Sequence, residues 1–168
     1  KAASTARRDI EDFSDDYADD DEYEAETGEV VSAVSQTLPP ISPEEQGLLR
    51  QLREFAAKTS QRPDCKARTL IDWLKKTLRP GGPWNQERVI IFTEYRATLN
   101  WLQGLLASQG FTGDNRLMTL FGGMDDERRE TIKAAFQARP EISPVRILLA
   151  TDAASEGIDL QNHCHRII

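Results

Sequence analysis

The sequence has 168 residues, 39% of them hydrophobic, a mean hydropathy of −0.55 and a formal net charge of −7. That length suffices for one sizeable domain plus a tail. No apolar run approaches the ~20 residues that cross a bilayer, and the polar, charged first residues give no signal-peptide pattern. Cys65 and Cys164 stand far apart, outside any metal or redox spacing, which points to a reducing, cytoplasmic setting.

The charge is unevenly spread. Residues 1–29 hold twelve acidic and three basic side chains, whereas the remainder holds sixteen acidic and eighteen basic. The acidic stretch has few aliphatic residues, and like charges repel, so the apolar surface is too small to offset chain entropy. Residues 1–41 therefore read as an acidic, largely disordered linker. A second reading makes the arm a DNA mimic that covers a basic surface. The D-x-D-x-D-G spacing of a calcium loop is missing.

Pro39 and Pro40 close the linker. Ser42, Pro43 and Glu45 then form the capping box and first turn of a helix. Leu48, Leu49, Leu52, Phe55 and Ala56 share one face of it. Residues 42–63 are this lead-in helix and its break. A second helix is expected over residues 64–78, burying Leu70, Ile71, Leu74 and Leu78 with Trp73 on its flank. The Pro-Gly-Gly-Pro run at 80–83 ends it.

Residues 88–93 are β-branched and aromatic, a buried strand. Residues 96–109 form an amphipathic helix closed by Gly110. A shorter strand at 116–121 leads to Gly122 and Gly123, then to a helix capped by Asp125 or Asp126 and running to Gln137. Residues 145–150 are the next strand, and a helix or turn is expected at 153–156. Arg166, Ile167 and Ile168 start another strand, and a chain stopping inside a buried strand reads as a piece of a longer protein. The order predicts an α/β fold: a parallel sheet with helices on both faces.

In such sheets ligands sit past the carboxyl ends of strands. There this chain places Gly122 and Gly123, through which a backbone can approach a phosphate closely, or which simply turn tightly. There too it places Thr151, whose hydroxyl and neighbouring N–H groups can bind a phosphate or cap the next turn, and then Glu156, Gly157 and Asp159.

Three segments, residues 88–95, 120–129 with Phe136, and 148–161, resemble in order and spacing the second RecA-like lobe of superfamily 2 helicases. The closer likeness is to bacterial Swi/Snf-type DNA translocases, such as the RNA-polymerase-recycling and DISARM phage-defence branches. It covers residues 64–168. The resemblance implies nucleic-acid contacts at Gly122, Gly123, Arg129 and Thr151, with Arg129 alternatively a surface ion-pair partner. It also implies that Gly157 and Asp159 face ATP, Asp159 through ribose hydroxyls or else as a turn residue bonding its own backbone. Many eukaryotic remodellers carry asparagine at the position of Asp159, and Glu156 replaces a small or basic residue.

The sequence holds no G-x-x-x-x-G-K-[ST] loop and no Asp-Glu pair on a recognisable magnesium-binding strand. The family's arginine-finger motif would lie beyond Ile168. Phosphoryl transfer needs these parts together. The expectation is a truncated lobe, inactive alone, in a protein whose missing N-terminal RecA-like lobe holds most of the ATP and magnesium. The intact protein is expected to be an ATP-dependent helicase or translocase acting on duplex DNA. The alternatives are an RNA helicase lobe or a non-catalytic helicase-like interaction module. No G-x-G-x-x-G supports a Rossmann-type enzyme. His163, Cys164 and His165 cannot converge on one metal if extended, because adjacent side chains alternate. No metal site is expected. Trp73, Trp84 and Trp101 can stack bases or pack on helix flanks.

Overall fold

The structure is a computed structural model that describes residues 20–60, 62–151 and 162–168. Its first element, α1, spans Asp20–Thr37. The sequence reads these residues as part of a largely disordered linker, and here they are helical. The acidic residues crowd the amino-terminal half of this helix, where the macrodipole favours negative charge, so the repulsion that argued for disorder is partly offset. No helix among the described residues is long and apolar enough to cross a membrane.

Helix α2 spans Pro43–Thr59 and has the expected capping box. The Glu45 N–H donates to Ser42 Oγ over 3.2 Å, and the Ser42 N–H donates to Glu45 Oε2 over 2.7 Å. None of its side chains is buried. Leu48, Leu52 and Phe55 are 66%, 63% and 66% exposed, so the apolar face read from the sequence packs on nothing among the described residues.

Helix α3, Cys65–Leu78, does pack. Asp64 caps it, accepting from the Ala67 N–H at 2.7 Å, and Ala67, Ile71, Leu74 and Leu78 are buried. Strand β1 follows at Val89–Thr93, then α4 at Arg96–Ser108, β2 at Leu117–Leu120, α5 at Asp126–Gln137 and β3 at Ile147–Thr151. Asp125 caps α5 by accepting from the Arg128 N–H at 2.9 Å.

The three strands are parallel in the order β1-β3-β2. One face sets Val89, Ile91, Leu117, Ile147 and Leu149 against α3, α4 and Phe111. The other sets Ile90, Leu120, Leu148 and Ala150 against Ile132 and Phe136 of α5. Burial on both faces explains why the strands read as unbroken apolar runs. Ile167 bridges Ile90 in parallel on the outer side of β1, as the expected strand start. Ile167 and Ile168 are 69% and 48% exposed, because no described element covers that side.

Arg88, Arg116 and Arg146 immediately precede β1, β2 and β3, and the register lines them up along the amino edge of the sheet. Arg88 and Arg146 are buried. Arg88 Nε donates to Val145 O at 3.1 Å, Nη1 donates to Phe136 O, and the guanidinium lies over the Phe136 ring. Arg146 donates to the carbonyls of Asn85, Ser143, Val145 and Pro140 at 2.7 to 2.9 Å. Arg116 Nη1 reaches Pro144 O at 3.2 Å. Burial is the first cause that pulls the guanidinium pKa of both Arg88 and Arg146 down.

Candidate nucleic-acid interface

Parallel strands deliver their carboxyl ends to one edge. Thr93 ends β1 directly opposite Thr151, which ends β3. Strand β2 ends with Leu120 opposite Ala150, so Gly122 and Gly123 leave the sheet beside Thr151. The Gly122 N–H donates to Thr151 Oγ1 at 3.3 Å. Two residues singled out separately in the sequence thus meet across 29 positions. Both are buried, while Gly123 is exposed. Gly123 has φ +76°, a left-handed conformation that strains residues with a Cβ, so this glycine is needed for the turn.

Arg129 lies one turn into α5, the helix that follows this turn, and is half-buried. Its backbone N–H donates to Asp125 O at 3.0 Å. The amino end of α5 also carries exposed Asp125, Asp126 and Glu127. The macrodipole there is already answered by its own carboxylates. The groups this edge could offer an anion are therefore hydroxyls, turn backbone and arginines. Gly157 and Asp159, the residues read as facing ATP, lie outside the described residues, as does Glu156.

Two further residues stand at this edge. Thr93 is buried, and its hydroxyl donates to Tyr95 O at 3.4 Å. Its signal was present in the sequence: it ends an apolar run just as Thr151 does. Arg96, the first residue of α4, lies with its guanidinium carbon 3.2 Å from the Phe121 ring centroid. Its Nε and Nη1 are buried without a hydrogen-bond partner. Stacking fixes a positive charge beside Gly122. Nothing in the sequence marks Arg96 beyond its place at a strand-to-helix turn.

The tryptophans are packing residues here. Trp73 and Trp101 lie against the core, and Trp84 meets Phe111 edge-on with Arg79 and Arg116 over its ring. Trp101 Nε1 donates to Ser60 O at 2.6 Å and ties the end of α2 to α4. Cys164 is buried, its thiol donating to the carbonyls of Arg88 and Arg166 at 3.4 Å, and burial pushes its pKa up. Among the described residues no group of three or more His, Cys, Asp or Glu side chains is placed to hold a metal.

An uncharacterized ATP-dependent helicase of Bacillus subtilis (strain 168), YqhH, is 33% identical over 105 residues, covering 62% of this chain and 16% of its own. DEAD-box ATP-dependent RNA helicase 35B of Oryza sativa subsp. japonica is 32% identical over 98 residues, 58% of this chain and 13% of its own. The chain thus spans less than a fifth of the length of these curated relatives.

Among solved structures, the C-terminal part of the Fun30 ATPase domain superposes with a TM-score of 0.50 at 20% identity. That match covers 92% of this chain and 48% of the other. The Sulfolobus solfataricus SWI2/SNF2 ATPase C-terminal domain gives 0.51 at 15% identity, covering 79% and 66%. At such identities the likeness is one of fold. Residues 69–168 match the family described as helicase conserved C-terminal domain, and the chain belongs to that family.

Proposed function

We propose that this chain is the C-terminal lobe of an ATP-driven, Swi/Snf-type translocase acting on duplex DNA. The supporting observation is the meeting of Gly122 and Thr151 at the carboxyl edge of the sheet. The Thr151 hydroxyl, whose oxygen holds the Gly122 amide, and the cation of Arg96 stand on one edge, with Arg129 on the helix that follows the turn. That is a donor set suited to a phosphodiester backbone, which is bound through charge and backbone N–H groups without base readout.

ATP, bound between two lobes, supplies the phosphoryl-transfer free energy. This chain's part is one wall of that cleft, with Gly157 leaving space and Asp159 accepting ribose hydroxyls. Magnesium is assigned to the other lobe because the sequence holds neither a G-x-x-x-x-G-K-[ST] loop nor an Asp-Glu pair on a recognisable magnesium-binding strand. The chain orients one side of the nucleotide and grips the polynucleotide, and repeated closure of the lobes moves that grip along the duplex. Strand separation is no part of this reading. Two free cysteines, Cys65 exposed and Cys164 buried, suit a reducing, cytoplasmic setting.

The test is the ATPase rate of the intact protein, alone and with duplex DNA or duplex RNA. Stimulation by DNA supports the reading, and stimulation by RNA alone moves the substrate to RNA. Absence of stimulation by either leaves a non-catalytic interaction module.

A further inference from the structure

Along α2, Leu48, Leu52 and Phe55 recur at spacings of four and three residues, the seam of a helix that packs lengthwise on another helix. All three face solvent, and Leu49 beside them is 48% exposed. A contiguous apolar row in water is unfavourable unless something covers it.

The charges of α2 balance, with Glu44, Glu45 and Glu54 against Arg50, Arg53 and Lys58. Their order along the helix is not even. Glu44 and Glu45 stand in its first turn and Lys58 in its last. Glu44 and Lys58 are two heptads apart, so they lie on the same flank of the apolar row. Uncharged Gln51 is midway between them, beside the centre of that row. A helix that starts acidic, is apolar in the middle and ends basic is complementary to itself run in the opposite direction. A uniformly acidic partner would meet Glu44 and Glu45, and a uniformly basic one would meet Lys58. A second copy running parallel would set like charges together at both ends and align the two macrodipoles.

We propose that two copies of this chain associate through this face, α2 against α2, antiparallel about a twofold axis near Gln51. Such an interface is isologous, the same patch serving both copies. Leu52 of each copy meets Leu48 of the other, and Glu44 meets Lys58 at both ends. The apolar contact supplies most of the free energy, and the end charges fix direction and register. One helix pair about 25 Å long is at the small end of specific interfaces. The copies therefore exchange, and in a dilute unfolding titration the chain is a monomer. No α2 side chain is buried in the lobe, so pairing leaves the core untouched. The contact uses none of the carboxyl-edge residues and stands or falls separately from the translocase reading.

Sedimentation of the full chain from about 1 μM to about 0.5 mM, a range that brackets weak association, tests this. A reducing buffer keeps the exposed Cys65 thiol from cross-linking copies. The expected average mass rises with concentration from the 18.9 kDa of one chain toward that of two. Leu52→Asp leaves a monomer throughout, with hydrogen exchange over residues 65–78 unchanged. Glu44→Lys and Lys58→Glu each weaken the dimer by about fivefold, because each sets like charges face to face at both ends. Mixing these two variants restores association, since opposite charges then meet at every end. A monomer at all concentrations overturns the proposal. So does association indifferent to Leu52→Asp, or a mixture that associates no more tightly than either charge variant alone.

Discussion

The Gly122 amide donates to the Thr151 hydroxyl oxygen, joining the turn after β2 to the last residue of β3. One hydroxyl thus holds a turn whose backbone is a candidate phosphate ligand. Thr151→Val keeps the shape and removes the acceptor. The expected result is a loss of about 1 kcal/mol in unfolding free energy and weaker binding of a labelled DNA duplex. Thr151→Ser restores both. Duplex binding equal to that of the unmodified chain removes Thr151 from the interface.

Arg146 answers four carbonyl oxygens at once, three of them in the loop before β3 and one at Asn85. Replacing it with Met fills similar volume and removes this donor from all four oxygens, of which Val145 O keeps its bond from Arg88 Nε. Loss of a buried multi-bonded group costs about 2–4 kcal/mol, readable as a lower urea midpoint with unchanged slope. A change within about 0.5 kcal/mol would mean that water reaches the loop carbonyls freely.

Two leucines separate amphipathicity from packing. Leu74 is fully buried, whereas Leu52 is 63% exposed. Leu74→Ala is expected to cost about 2–5 kcal/mol through lost contacts and a cavity. Leu52→Ala is expected to stay within about 0.5 kcal/mol in the same urea titration. A comparable loss at both positions would show that α2 packs on the lobe in solution.

Acid should loosen α2 at its first turn. Glu45 is held below the usual carboxylate range, first by the Ser42 backbone N–H and then by its hydroxyl. A carboxylate depressed in the folded state adds stability above its unfolded pKa and loses it as pH falls through the folded value. Amide exchange in the first turn of α2 is therefore flat near neutrality and accelerates as pH drops below about 4, after correction for intrinsic rates. Glu45→Gln removes that dependence.

In the intact protein, Asp159→Ala is expected to lower ATP turnover by about tenfold or more, the order expected for a lost polar contact to the nucleotide. Thermal unfolding should be unchanged. Undiminished turnover takes Asp159 out of the nucleotide site.

The elements of the sheet core were legible because their signals are local. Asp125 sits just before the helix it caps, Gly110 follows a helix, and the strands announce themselves as apolar runs. Helix α1 was not, since a block of carboxylates reads as repulsion until its place at a helix start is known. The spacing of Leu48, Leu52 and Phe55 shows that they share a face, but periodicity does not say what covers it. The Gly122–Thr151 bond depends on strand register, which no local window contains. Arg88 and Arg146 escaped notice because arginine is mostly a surface residue, and their burial depends on carbonyls brought from several loops.

The arginine row gives the sheet two unlike ends. At the amino edge Arg88, Arg116 and Arg146 are already committed to main-chain oxygens of the same molecule. A visiting polyanion would have to unpick that mesh before it could bind. At the threonine edge the described bonds include those from Gly122 to Thr151 and from Thr93 to Tyr95. The lobe is therefore polar in the sense that a plug is polar. On the proposed reading a polynucleotide meets only the threonine edge, so a chimera that grafts the lobe onto another motor must keep that edge facing the track.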